Sequence, residues 1–508
     1  VLKERLFDPT VAAHYTRRVD KFVRRYGNHA SIGMWFMHFN LAGYPWYLAP
    51  QKIDGSYRPV DTAWLVKERY ALQAEGLARS LDPRPVYHHA CGALGTIYNA
   101  NCYIGPSSPL QERREWPSRW AETRRTPLIT CEHGLWLVPY WYRPREFPLS
   151  HVYAGEPLFD ELSAMVLGPR AYSMIRPEWV DTYALPPERT SERLITLVKS
   201  HDGYQEVKAL LGRESLRAWR TYGVSGIIFN AIQWDFRGRD GVPLPVMRSL
   251  QRYFGARDCF VAGPAGDWPT VDHAYVSGDT IRKQLVLLND LGHAVDQTLR
   301  VALQDAHGKN VWALDLDVTF KPGEPTFVPF ECPVPIVHTR SECVLRVSGQ
   351  NDGREWDAFP LQVFPQVSPS GTVARVLLYD PTGESAVLLH QAGTQPQPLT
   401  RETDLGAASI VVVGRGGWDD TFVALAQALN LEQAVAAGLT LVVLEQTANV
   451  AGLRLRERSS RRAFIVQPDH PLVAGLEDAD FVNLRGTSER IEAYPDAAPE
   501  TETRWPER

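Results

Sequence analysis

Residues 127–134 read Pro127-Leu128-Ile129-Thr130-Cys131-Glu132-His133-Gly134. The run from Pro127 to Cys131 is apolar and β-branched, which predicts a short strand buried on both faces. It ends in a carboxylate, an imidazole and a glycine. In a β/α barrel the C-terminal ends of the strands face the active site. A carboxylate at such an end suits a nucleophile or a general acid or base. It equally suits a salt bridge at a strand end.

The surrounding chain repeats this arrangement. The spacing predicts helices over 11–26 and 61–80, and a third in two pieces over 191–222. Strands are expected at 32–39, 85–89, 95–101 and 224–230. Strands alternating with helices across residues 1–258 predict a parallel α/β sheet or barrel. The stretch 134–189 is rich in proline and aromatics and too long for an ordinary connection, as functional loops are. Ten of the 15 tryptophans precede residue 260. Such rings supply core volume, or platforms for ligands with apolar faces and polar edges, sugars included.

Two changes of pattern follow. Across 259–365, alternating segments such as 284–288, 298–303 and 343–347 are punctuated by Gly, Asn, Asp and Pro. They predict an antiparallel, Ig-like β-sandwich. Across 366–508, β-branched strands at 373–379, 409–413 and 440–444, with a helix at 419–428, predict a doubly wound, flavodoxin-like α/β domain. The polar tail after Pro495 is expected to fray.

Charge narrows the function classes. Among 508 residues, 54 Lys and Arg stand against 59 Asp and Glu, a net charge of −5. With no basic excess to neutralise phosphates, nucleic acid is not an expected partner. No run of about 18 or more apolar residues occurs, so no membrane-spanning helix is expected. Six cysteines are too few for a disulfide framework. The start at Val1 shows no signal-peptide pattern.

Three further stretches place polar groups at strand ends. Asn28-His29-Ala30-Ser31-Ile32 opens an apolar run through Trp35 that closes on His38-Phe39-Asn40. Asp82-Pro83-Arg84-Pro85-Val86 turns into the next strand. The segment from Gly226 ends in Asn230, Gln233, Trp234 and Asp235. In this order, with 127–134, they resemble the catalytic barrel of glycoside hydrolase family 2 and its wider clan of β-galactosidase-like enzymes. The likeness covers strands 4–8 of a (β/α)8 TIM barrel. The family's fourth strand reads Asn-His-Pro-Ser-Ile, then an apolar run with Trp, then Asn-Glu. Asn28, His29, Ser31, Ile32, Trp35 and Asn40 match it.

The resemblance implies retaining hydrolysis of O-glycosyl bonds in an oligosaccharide or polysaccharide, without metal or cofactor. It implies Glu132 as the nucleophile, Asn40 on the sugar 2-hydroxyl and Trp234 stacked on the ring. The further substrate-binding candidates are His38, His88, Asn101, Tyr103, His133, Trp136 and Asn230. It also implies a class I glutamine amidotransferase-like terminal domain, non-catalytic, through which the protein would form a homo-oligomer. Two departures stand out. Leu41 occupies the place of the family's acid/base Glu. No counterparts of the first three strands precede Val1, so a piece of a barrel is expected. The loop carboxylates Asp54, Glu112 and Glu115 are candidate replacement acids. The alternative is a non-catalytic carbohydrate-binding relative.

Rival sites are weaker. His88, His89 and Cys91 match no zinc spacing, and neighbouring strand residues point to opposite faces. One of the two histidines is a candidate for the sugar cleft. The segment from Gly414 to Asp420 lacks the Gly-x-Gly-x-x-Gly pattern, and Asp419 and Asp420 would repel an anion from a helix N-terminus. A tight turn with a capping Asp is expected there, and a solvated loop at 454–462. Glutaminase chemistry needs a thiolate beside a histidine. The last cysteine, Cys343, precedes the terminal domain, so none is expected around His470.

Overall fold

Among the described residues up to 229, helices alternate with parallel strands. The computed structural model describes residues 9–36, 62–89, 91–101, 114–124, 126–133, 165–166, 168, 204–229, 241–366, 375–407, 410–446, 449–451 and 462–482. They belong to two units, Val1–Phe364 with Ser459–Arg508, and Pro365–Arg458.

The first unit opens with α1 (Pro9–Tyr26), β1 (Trp35–Phe36), α2 (Thr62–Leu81), β2 (Val86–Tyr87) and β3 (Tyr98–Asn101). Then come α3 (Ser118–Thr123), β4 (Leu128–His133), α4 (Tyr204–Tyr222) and β5 (Gly226–Phe229). β1 pairs with β2, and β3 with β4 with β5, all parallel and in chain order. Successive strand residues face opposite sides, and both sides are covered. Val19, Val23, Trp35, Ala78 and Val86 pack between β1, β2 and the first two helices. Tyr98 and Leu128 pack against Trp116, Trp120 and Trp219. On the other side Tyr87, Ile97 and Ile129 form a cluster joining β2 to β4. This is a mixed α/β arrangement consistent with part of a barrel. The four tryptophans just named, Trp35 among them, are core.

Helix α5 (Pro245–Tyr253) leads to β6 (Arg257–Ala262), β7 (Ala274–Val276), β8 (Thr280–Asn289) and β9 (Val295–Gln304). β10 (Asn310–Phe320), β11 (Thr326–Pro333), β12 (Ser341–Gly349) and β13 (Glu355–Phe364) follow. One sheet runs β10-β9-β12-β13-β7 and the other β11-β8-β6. Alternate residues from both, including Leu285, Leu287, Leu299, Val301, Leu345 and Trp356, meet in one core. Residues 462–482, read from sequence with the terminal domain, group with this first unit. Arg340 holds Asp480 at 2.6 Å and Glu477 at 3.3 Å, and the Gln362 amide donates to the Ala479 carbonyl at 2.8 Å.

The second unit has β14 (Val376–Tyr379), α6 (Glu384–Gln391), β15 (Gln397–Pro398), β16 (Ile410–Val413), α7 (Asp420–Ala428), α8 (Leu431–Ala436) and β17 (Thr440–Val443). Its parallel sheet runs β15-β14-β16-β17. Leu377, Val411 and Val413 meet Phe422 and Leu425 of α7 on one face. Val376, Leu378 and Val412 meet Leu389 of α6 on the other. The turn before α7 closes on Asp419, whose carboxylate accepts the Phe422 N–H at 2.7 Å and the Tyr379 hydroxyl at 3.1 Å. Asp419→Ala should therefore cost about 1–2 kcal/mol, the upper range for an N-cap. Hydrogen exchange of the α7 amides checks this, with Asp419→Asn retaining most of the protection.

Candidate functional site

Because β3, β4 and β5 are parallel, their C-terminal ends share one edge. Asn101 pairs with Cys131 across that edge. On the other side Thr130 pairs with Ile227 and His133 with Phe229. β4 thus takes three steps where β5 takes two, so one extra residue is inserted at Cys131–Glu132. Such a bulge breaks the alternation of faces and is frequent at barrel rims and beside active sites, where it re-aims a side chain. The strand also runs two residues further than its apolar pattern, so Glu132 and His133 belong to it. The structure brings Asn101, Glu132 and His133 onto adjacent strand ends. His38, Asn40, Leu41, Asp54, Tyr103, Glu112, Trp136, Asn230 and Trp234 lie outside the described residues. So does most of 134–189.

Asn99 fixes the backbone leading to the bulge. Fully buried, it donates from Nδ2 to the Ile129 carbonyl at 2.9 Å and accepts the Cys131 thiol on Oδ1 at 2.8 Å. Both ends of its amide are thus spent on β4, on residues three and one before Glu132. On β2, in the other sheet, the Tyr87 phenol is pushed up to about 12, by burial first and by the Cys131 thiol second. It stays a neutral donor at physiological pH.

The two histidines after β2 separate as strand alternation requires. His88 follows Val86 to the helix side. It is 1% exposed, and its Nε2 donates to Glu75 of α2 at 2.9 Å. The same carboxylate holds Arg79 at 2.8 Å. The pair leaves no room above it. Gly95 has φ +75°, and a Cβ there would stand 2.8 Å from the His88 ring. The His88 ring therefore lies between β2 and α2. His89 follows Tyr87 instead, with its ring 5.9 Å from that of Phe36. Counting alternation from the apolar Val86 is the signal that separates them.

Burial, against the pull of Glu75, holds His88 below the usual histidine range. Its neutral form therefore favours the fold. That contribution is whole above the unfolded value of about 6.5 and is lost as pH falls through the lower folded value. Urea midpoints should drop between pH 7 and pH 5 in the native chain, and by less in His88→Gln.

Glu115, a candidate acid, is 5% exposed and lies shortly before α3. The turn at 414–420 belongs to the second unit, where Arg415 pairs with Glu445 at 2.9 Å and Glu384 at 3.2 Å. His470 groups with the first unit and caps a short 3-10 turn by accepting the Leu472 N–H. Among the described residues no group of three or more His, Cys, Asp or Glu has the arrangement of a metal site. No helix among them is long and apolar enough to cross a membrane.

No family model matches the chain, and no curated protein does. Among solved structures, a β-glucosidase from Listeria innocua in complex with glucose aligns at 16% identity with a TM-score of 0.18. That alignment covers 22% of this chain and 16% of the other. A β-glucosidase involved in saponin metabolism from intestinal bacteria aligns at 16% identity, covering 21% and 16%, with a TM-score of 0.16. The sporulation control protein Spo0M from Bacillus subtilis aligns at 14% identity, covering 23% and 51%, with a TM-score of 0.17. These likenesses are local, and at such scores they carry no argument about activity.

Proposed function

We propose that this chain carries strands 4–8 of the barrel of a retaining, β-galactosidase-like glycoside hydrolase of the family 2 type. An Ig-like sandwich and a flavodoxin-like, amidotransferase-like domain would follow, the last serving homo-oligomer assembly. One observation supports this above the others. The sequence singles out Glu132 by its place at the end of an apolar strand, and the ladder independently puts a bulge there, next to Asn101.

In this mechanism Glu132 attacks the anomeric carbon of an oligosaccharide or polysaccharide, and the glycosidic C–O bond breaks. Water then cleaves the glycosyl ester. Retention needs a second carboxyl group about 5–5.5 Å away to protonate the leaving oxygen and later to activate the water. Asn40 holds the 2-hydroxyl and Trp234 stacks on the ring. Asn101, His133, His38, Tyr103, Trp136 and Asn230 line the cleft. His89, on the face opposite His88, takes the histidine's place in it.

Leu41 favours a second reading, a carbohydrate-binding relative without the acid. A leaving-group comparison separates the two. A general acid contributes typically about 10²–10⁴-fold, most of it needed for poor leaving groups. The enzyme reading expects a natural disaccharide and its nitrophenyl counterpart to be cleaved at comparable rates, with one of Asp54, Glu112 or Glu115 abolishing the former when made the amide. If only the nitrophenyl substrate reacts, and Leu41→Glu restores disaccharide cleavage, the acid has been lost. Sugar binding without any cleavage supports the non-catalytic relative.

A further inference from the structure

A cavity of about 370 Å3 lies within the first unit between α4, β6, β12 and β13. Its size is within the range of small-molecule sites. Phe260, Val271, Phe359, Pro360 and Leu361 give it apolar walls. The carboxylates Glu214, Glu342 and Asp357 line it too, facing four arginines: Arg114, Arg213, Arg217 and Arg462. Two of these have close carboxylate partners. Arg217 holds Asp258 at 3.0 Å and Asp357 at 2.7 Å. Arg213 holds Glu214 at 2.7 Å.

Arg114 differs. It is 8% exposed, yet its Nε has no hydrogen-bond acceptor among the described residues. The Glu214 carboxylate stands 3.8 Å from that nitrogen, beyond hydrogen-bond reach. Behind the wall, Lys283 repeats the deficit. It is 1% exposed, its ammonium lies 5.0 Å from the centre of the Phe359 ring, and Asp272 is 3.9 Å away. Its Nζ likewise has no acceptor among the described residues. Burial pulls this ammonium down to about 8 against the pull of Asp272, and the charge of Arg114 adds to the fall. Two buried cations with unfilled donors are costly unless an acceptor arrives.

We propose that this cavity binds a small organic oxyanion, a compact ring bearing one carboxylate or phosphate, gripped by Arg114 and enclosed by Phe260 and Phe359. A guanidinium offers parallel donors that match either group, and the ring faces match an apolar body. The proposal rests on these residues and does not depend on the glycosidase reading.

Calorimetry on the full chain with benzoate, phenyl phosphate, benzamide and inorganic phosphate tests it. Benzoate or phenyl phosphate should bind with a dissociation constant near or below about 1 mM, and Arg114→Gln should weaken that by about tenfold or more. Which of the two binds tighter identifies the head group. Benzamide binding as well as benzoate would remove the anion from the proposal and overturn it. Inorganic phosphate binding as tightly as phenyl phosphate would remove the ring and overturn it equally, as would no binding by either organic anion. Should Arg114→Gln fail to fold, the Lys283 side chain of the native protein gives a second readout by NMR. Saturating benzoate should raise its midpoint above 8; an unchanged midpoint overturns the site.

Discussion

Glu132→Gln should abolish turnover of an activated aryl glycoside and leave the thermal transition nearly unchanged. The amide keeps the shape of the carboxylate, so packing along β4 has no reason to change. It cannot form the glycosyl ester, however, and in a retaining hydrolase every productive turnover passes through that bond. The fall in kcat should reach at least about 10³-fold, or some 4 kcal/mol of transition-state stabilisation. An aryl substrate is the right probe, because its good leaving group makes the result independent of whatever stands in for the acid at Leu41. A variant keeping more than about a tenth of kcat has lost under about 1.4 kcal/mol, too little for a nucleophile. Glu132 would then be a carboxylate at a strand end and nothing more. A large drop in the thermal transition would point the same way, to a role in holding the bulge.

The strand around Glu132 was legible because helices cover one side of its sheet and an apolar cluster the other, and that leaves a run of apolar and β-branched residues, Leu128-Ile129-Thr130-Cys131. The bulge was not legible. One extra residue in a parallel ladder shows only against the partner strand, and nothing local in Thr130-Cys131-Glu132-His133 marks it. The choice between His88 and His89 was open in composition but fixed in phase, since Val86 belongs to the helix-side core and alternation does the rest. The grouping of the segment at 462–482 was hidden for a different reason. Residues 462–482 are tied to the first unit by Arg340 and Gln362, which lie more than 100 residues earlier, and no local pattern records such contacts. Asn99 was visible as a polar strand residue, whereas its two bonds into β4 needed the fold.

Arg217 carries the same lesson into energetics, and its removal should cause the largest loss of stability. On an amphipathic helix an arginine reads as solvent-facing. Here it is 8% exposed and joins α4 to two strands of the sandwich through Asp258 and Asp357, themselves buried. The guanidinium also stacks over Tyr253 and Phe260, at 4.7 and 4.9 Å from the ring centres. Burial opposes its charge, but the two carboxylates hold its proton affinity well above that of an ordinary arginine. Arg217→Met keeps the stem and removes only the cation, leaving two buried carboxylates without their shared partner. The expected cost is about 3–5 kcal/mol, measured as a fall in the urea midpoint of the first unit. The carboxylates have duties besides the ion pair, since Asp258 accepts the Cys259 N–H and Asp357 the Val261 N–H, both at 2.9 Å. Asparagine can accept both bonds, so adding Asp258→Asn and Asp357→Asn to Arg217→Met should restore at least about 2 kcal/mol. That recovery distinguishes stranded charge from lost packing, which the added amides cannot repair. A single-variant cost below about 1 kcal/mol would instead place Arg217 among solvated surface pairs, and the junction between α4 and the sandwich would have to rest on its apolar contacts alone.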